Sequence, residues 1–469
     1  MFFDLLSRFH ERIALIEEDS RCRTYRELLE LGECFSAPLR ERSLLFLVTT
    51  NSTASIAGYI GFLRRGIVPV LLNNTISKEL FDDLLAIYSP EYVFLPSSRA
   101  ALAGPSVLLK EEEGYRLYEQ REGIHSNLNP DLALVLTTSG STGSPKLVRL
   151  SEKNLRSNAE SIIEYLRIRP EDRAMTTMPM AYSYGLSIIN SHLLAGASLI
   201  VTESSLTQRG FWDLLKSARP TTLGGVPHTY EMLKKMRFGR THLTSLRYLT
   251  QAGGRLSPEL VTEFVELCAR NNARFIVMYG QTEATARMAY LPWEVAAQKP
   301  SSIGLPIPGG TLSLEDEEGR PIAETDVSGE LIYKGPNVSL GYAESLDDLT
   351  KGDENNGVLH TGDIARRDAD GFYYIVGRKK RFLKVFGNRL NLDDAERILR
   401  KAGFDVVCSG RDDLLRIYMT EHSNRESIVS FLSDRTGLHH SAFEVVFVRS
   451  IPRGDSGKVL YAQLEKEVV

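Results

Sequence analysis

Residues 44–95 read LLFLVTTNSTASIAGYIGFLRRGIVPVLLNNTISKELFDDLLAIYSPEYVFL, and their pattern decides the fold class. Leu44–Thr49 is an unbroken apolar run of strand length. Residues 52–65 carry a helical pattern, 67–72 form a second apolar run, 77–87 a second helical stretch and 92–95 a third short strand. Strand, helix, strand, helix, strand predicts a parallel sheet covered by helices, because parallel neighbours need a crossover and each face of their sheet then needs a cover.

The theme continues. Residues 132–136, 174–177, 198–201, 247–250 and 274–278 read as strands, with helices at Glu152–Leu166 and 258–269. The character changes after about Ser301. Residues 304–376 are rich in Gly and Pro with alternating strands, as in Gly329-Glu330-Leu331-Ile332-Tyr333-Lys334-Gly335, and predict an antiparallel barrel or meander. A basic stretch follows at 377–387, with Arg378, Lys379, Lys380, Arg381 and Lys384. Beyond it lies an α+β pattern: helix 393–401, strands near Val406 and Leu415, helix 425–433 and strand 444–448. The expected fold class is therefore α/β. Residues 1–378 form a large N-terminal body with parallel-type helix-covered sheets and a small β-barrel subdomain at about 304–376, and 379–469 form a small α+β domain.

Composition narrows the function classes. A chain of 469 residues suggests about three units, since single cores stop growing near roughly 250–300 residues. With 36 Gly and 19 Pro, collagen-like and low-complexity classes drop out. A net charge of −4 argues against a life on nucleic acid or anionic lipid. Cys22, Cys34, Cys268 and Cys408 are isolated, without the spacing of a zinc site or a disulfide framework. The N-terminus acquires Asp4, Arg8 and His10 too early for a signal-peptide core, and no apolar run approaches the roughly 20 residues of a membrane span. The expectation is a cytoplasmic enzyme with no nucleic-acid partner and no stable membrane insertion.

One loop carries chemistry on its own. Thr138-Ser139-Gly140-Ser141-Thr142-Gly143-Ser144-Pro145-Lys146 follows a strand. Glycines admit an anion to the backbone N–H groups, the hydroxyls donate further bonds and Lys146 adds charge. A triphosphate is the natural guest; the plain alternative is a flexible surface turn. A Walker A loop is excluded, because Ser144 and Pro145 separate Gly143 from the lysine.

Taken with later segments, the loop resembles that of the adenylate-forming superfamily, which contains acyl- and aryl-CoA synthetases, peptide-synthetase adenylation domains and firefly luciferase. Tyr279-Gly280-Gln281-Thr282-Glu283 is similar to the superfamily's Y-G-x-T-E, and Thr361-Gly362-Asp363 to its T-G-D. Gly377-Arg378-Lys379-Lys380 resembles the hinge motif, and Pro452-Arg453-Gly454-Asp455-Ser456-Gly457-Lys458 resembles the C-terminal P-x-x-x-x-G-K. Weaker matches occur at 24–28, 251–254 and 302–309. The resemblance runs from about residue 20 to the end.

It implies two half-reactions: a carboxylate attacks the α-phosphorus of ATP to give acyl-AMP and pyrophosphate, then a thiol takes the acyl group. In that scheme Thr138, Ser139, Gly140, Ser141, Thr142, Gly143 and Lys146 hold phosphates. Glu283 ligates Mg²⁺, a hard cation suited to few carboxylates plus substrate oxygens. Thr282 donates to the α-phosphate, and Tyr279, Gly280 and Gln281 complete that wall. Gly253 and Gly254 line the adenine face, with Ile375 near it. Asp363 accepts the ribose hydroxyls, with Arg378 in reach. Lys458 is the lysine expected to stabilise the first transition state. The C-terminal domain is mobile in this family, and Lys380 occupies the hinge position. The surrounding basic cluster doubles as an expected docking surface for the phosphates of CoA or of a carrier's phosphopantetheine arm.

The acid pocket is less defined. Tyr182, Tyr184, Val226, Gly280 and His228 are its expected residues, with those following Glu283. No acidic residue lies between Ala174 and Val201, where peptide-synthetase domains hold the substrate's ammonium; a buried ammonium without a counter-charge is costly. This lowers the standing of an amino-acid-adenylating enzyme loading a carrier. A non-catalytic nucleotide-binding relative and a luciferase-like oxygenase are further alternatives; intact Lys458, Glu283, Thr282 and Asp363 speak against the first. No fused carrier domain is expected, so the thiol is CoA or that of a separate acyl carrier protein.

Overall fold

The computed structural model describes residues 2–467, apart from 126, 138–145, 242–243, 386–387, 412, 421–424, 437 and 454–458. They divide into two compact units. The first takes in 144–311 and 334–359 together with the residues before the glycine-rich loop, and the second 312–333 and 360–469.

Leu44–Thr49 is central to an eight-stranded sheet, parallel to both Val68–Asn73 and Tyr92–Pro96. Helices Thr53–Arg64 and Lys78–Tyr88 make the crossovers. All six residues of Leu44–Thr49 are buried, as an apolar strand covered on both faces should be. The crossover helices start at Ser52 and Ser77, whose hydroxyls accept from the N–H of Ser55 and Leu80. On the same sheet Leu132–Thr137 and Leu147–Ser151 pair antiparallel, flanking the glycine-rich loop. Helix Glu152–Leu166 follows from a capping box in which Ser151 and Asn154 bond reciprocally.

A nine-stranded sheet completes the first unit. Four of its strands, Arg173–Met175, Thr222–Gly225, Tyr248–Gln251 and Arg274–Tyr279, lie side by side and parallel. Their carboxyl ends therefore share one edge of the sheet, where ligand sites of open α/β sheets form.

The stretch 304–376, expected as one barrel-like part, is shared among three sheets. Leu305–Pro306 ends the nine-stranded sheet, Gly341–Ala343 edges the eight-stranded one, and the rest builds a four-stranded sheet. That sheet, in the second unit, has the order Thr311–Glu315, Ser328–Lys334, Val358–Arg367, Tyr373–Arg378. The same unit holds helices Leu392–Lys401 and Arg425–Thr436 and a three-stranded sheet of Val406–Arg411, Leu414–Met419 and Phe443–Phe447. Its core includes Val406, Cys408, Leu415, Ile417 and Leu432. Position 378–379 falls inside this unit, between a strand and the turn Lys379–Arg381. Among the described residues no helix is long and apolar enough to cross a membrane.

Candidate active site

Three adjacent parallel strands of the first unit deliver candidate residues. Tyr248–Gln251 leads to Gly253, whose φ of +84° is a left-handed conformation suited to glycine. A Cβ there would lie 2.5 Å from the Tyr182 hydroxyl and 3.1 Å from Val226 Cγ1. Gly253, Tyr182 and Val226 are thus brought together, and a side chain at 253 would fill the space between them. Gly254 lies against Pro227, and the Gln251 side-chain amide donates to its carbonyl at 2.8 Å. Tyr184 is buried, donating to the Thr250 carbonyl at 2.8 Å, and its ring meets that of Tyr182 edge-on. His228 is exposed on the first turn of helix Pro227–Lys235, 3.7 Å from Glu231.

Arg274–Tyr279 leads into the turn with Thr282 and Glu283. At Gly280 a Cβ would sit 1.6 Å from the Ala286 carbonyl oxygen, so the returning chain crosses where only glycine fits. Thr285 and Ala286 have φ of +64° and +154°. A strained turn of this kind persists only when its surroundings over-determine it, and here they do. The buried Asn337 amide donates to the carbonyls of Ala284 and Arg287 at 2.8 and 2.9 Å, Asn158 also donates to that of Arg287, and the Thr285 hydroxyl donates to Asn337 O at 2.6 Å. Ser339 N–H donates to the Glu283 carbonyl.

On this frame Thr282 Oγ1 lies 3.1 Å from Ser183 Oγ, the first residue of helix Ser183–Leu194. Glu283 Oε1 accepts from the Tyr342 hydroxyl at 2.8 Å. Burial, the Glu283 charge and that hydrogen bond hold the Tyr342 phenol well above its ordinary range, so it stays a donor. Lys146 Nζ sits 5.6 Å over the Tyr342 ring and 2.7 Å from Glu344. Lys146 and Glu283 are both tied to Tyr342, the one by its ring and the other by its hydroxyl. Thr138 to Gly143 lie outside the described residues, as does Lys458.

Sequence reading missed several members of this frame: Ser183, Asn337, Tyr342 and Arg287. Arg287 is 1 % exposed. Its Nε and Nη2 donate to Ser187 Oγ at 3.1 and 2.9 Å, Nη1 contacts Met278 Sδ, and the guanidinium lies 4.2 Å over the Tyr184 ring. Its placement within the apolar run Ala284-Thr285-Ala286-Arg287-Met288-Ala289-Tyr290-Leu291 was the available signal.

In the second unit Asp363 and Arg378 are direct cross-strand partners, Arg378 Nε donating to Asp363 Oδ1 at 3.0 Å. Asp363 is buried, whereas the Arg378 side chain is more than half exposed. Ile375 pairs with Ala365 on the same ladder. Among the described side chains of the basic cluster, acids answer Arg378, Lys379 and Arg381. Lys379 pairs with Glu330, and Arg381 is held by Asp393 and Glu396, each at 2.6 or 2.7 Å. The Lys380 side chain lies outside the described residues.

Known proteins resemble this chain over most of its length. A family model described as "AMP-binding enzyme" matches residues 2–343. The indoleacetate–CoA ligase of Aromatoleum aromaticum is 26 % identical, over 93 % of this chain and 91 % of its own. The 2-succinylbenzoate–CoA ligase of Bacillus mycoides is 25 % identical, over 86 % and 84 %. The crystal structure of ATP-bound MatB from Rhodopseudomonas palustris superposes with a TM-score of 0.80 at 23 % identity, covering 99 % of both chains. The chain belongs to the AMP-binding enzyme family and is an AMP-forming acid–thiol ligase.

Proposed function

We propose that the enzyme activates a small carboxylic acid with ATP and transfers the acyl group from acyl-AMP to the thiol of CoA. What carries this reading is the turn after Tyr279, where Thr282 and Glu283 sit on a locked backbone at the carboxyl edge of four parallel strands. In this reading Thr282 donates to the α-phosphate as charge develops there, and the turn's rigidity spares reorganisation during the reaction. Glu283 fits a Mg²⁺ bound chiefly through nucleotide oxygens. Its carboxylate is oriented by Tyr342, and the described residues contain no cluster of three or more acidic, His or Cys ligands that would cage the ion without substrate. Such an ion would supply charge neutralisation between carboxylate and phosphate.

Lys146 and the loop before it hold the β- and γ-phosphates, Gly253 and Gly254 admit the adenine, and Asp363, steadied by Arg378, accepts the ribose hydroxyls. Lys458 stabilises the first transition state, and residues 379–469 move about Lys380 between half-reactions. CoA is favoured over a carrier protein because the relatives with matching length are named as CoA ligases.

A pyrophosphate-exchange screen over acid classes tests the reading, together with both half-reactions of Lys458→Ala. Exchange should fall on the order of 100-fold or more, while thioester formation from supplied acyl-AMP persists. Equal loss of both half-reactions sinks the role of Lys458, and no exchange with any acid sinks the reading.

A further inference from the structure

Among the described residues, no carboxylate contacts the buried guanidinium of Arg287. The groups around it are neutral: Ser187 takes Nε and Nη2, Met278 Sδ meets Nη1, the Tyr184 ring lies under the guanidinium plane, and the Tyr165 hydroxyl and His192 are close by. His192 is held well below its ordinary value, to about 4, by burial foremost, with Arg287 adding to that, so it brings no negative charge and no second positive one at neutral pH. Two other arginines, one fully and one largely buried, contrast with this. Arg149, fully buried, reaches the Glu354 carboxylate and four backbone carbonyls. Arg381, 14 % exposed, is clamped by Asp393 and Glu396. A fixed cation out of water needs a counter-charge or strong acceptors. Two hydroxyls, a thioether and an aromatic face supply no counter-charge.

Position gives that missing charge a source. Arg287 ends the same turn that carries Thr282 and Glu283, four residues after Glu283, and it stacks on Tyr184, one of the tyrosines at the proposed acid pocket. Tyr184 is itself fixed by the Thr250 carbonyl, so it cannot turn away without losing a buried bond. We infer that Arg287 is a specificity-determining residue that selects acids carrying a second anionic group, such as a dicarboxylate or a sulfonated carboxylate. The reacting carboxylate goes to the nucleotide, and the distal anion supplies the charge that Arg287 lacks. A neutral-tailed acid leaves the guanidinium unpaired, and sites built around a buried polar group discriminate strongly against ligands that cannot satisfy it. This rests on the adenylation reading above and narrows its substrate class.

The test is a pyrophosphate-exchange panel of matched acids of equal length, one series ending in methyl and the other in carboxylate or sulfonate. Wild-type enzyme should favour the anionic-tailed series by about 100-fold or more in kcat/KM. Arg287→Met should lose most of that preference through KM while retaining exchange with methyl-ended acids. Arg287→Lys, which keeps the charge without the fork, should retain the preference in reduced form. The wild-type panel decides even if Arg287→Met fails to fold. Exchange confined to neutral-tailed acids overturns the inference and leaves the adenylation reading intact, whereas absence of exchange with every acid overturns that reading. A preference that survives unchanged in Arg287→Met overturns the inference about Arg287.

Discussion

Two carboxylates proposed for nucleotide chemistry are held in opposite ways. Glu283 rides on a turn with two non-glycine residues at positive φ, pinned by the buried amides of Asn337 and Asn158. Asp363 sits on an antiparallel ladder opposite Arg378, just ahead of a register shift between Ile364 and Ala365, with a half-exposed guanidinium as its partner. The turn spends local strain to fix a position, and many contacts must fail together before it moves. The hairpin relies on strand register, which fixes where Asp363 points at little local cost. The first arrangement suits a group that meets developing charge, and the second suits one that only accepts hydroxyls.

The contrast is most easily broken at Gly280. Gly280→Ala forces a methyl into the Ala286 carbonyl. Either the turn opens or the unit destabilises, and a loss of about 3–5 kcal/mol in urea unfolding is expected, with loss of exchange activity. A well-folded, active Gly280→Ala enzyme would show that the turn is softer than its hydrogen bonds imply.

The tyrosines behind the turn offer a second handle. Burial, against the Arg287 charge, pushes the phenols of Tyr165 and Tyr182 up from 10.0 to about 12. Folded pKa values above the unfolded ones mean that the native state holds these protons more tightly. Their contribution is complete below pH 10 and is lost as pH rises toward 12. Stability should therefore fall across that window, with the tyrosinate absorbance of these two side chains appearing only with unfolding. Titration of both near pH 10 in the folded protein would indicate that water reaches the turn's underside.

The smallest effect belongs to the hairpin. Arg378→Ala removes an exposed partner whose place water can take, and should cost about 1 kcal/mol or less in thermal or urea unfolding. Its KM for ATP should rise if Arg378 steadies Asp363 for the ribose. A cost as large as that of Gly280→Ala would erase the distinction drawn between the two regions.

Much of the frame was legible in the sequence because it is written locally. The run at 44–95 yields its parallel strands through hydrophobic period and capping serines, and helix Glu152–Leu166 starts at Ser151 because Ser and Asn at that spacing cap each other. What stayed hidden depends on distant partners. Nothing in Gly341–Ala343 announces that it pairs with Leu147–Ser151 rather than with its neighbours in the chain. Asn337 reads as an ordinary loop amide until the carbonyls of Ala284 and Arg287 come to it. Arg287 lies in an apolar run, but sequence period does not reveal which side of a turn is closed. In the basic run at 377–387, the sequence does not show that Glu330, Asp393 and Glu396 pair with Lys379 and Arg381 from elsewhere in the chain.

The pairing of Gly341–Ala343 with Leu147–Ser151 has a consequence for synthesis of the protein. The flanks of the glycine-rich loop belong to a sheet whose last edge is closed by residues made nearly two hundred positions later, and Arg149 finds the carbonyls of Leu340, Tyr342, Lys351 and Gly352 only then. Until the ribosome has released that segment, Leu147–Ser151 is an open strand edge beside a buried arginine without acceptors. A nascent chain halted before residue 340 leaves that edge unpaired, so the time between synthesis of the two segments is a window of exposure to aggregation.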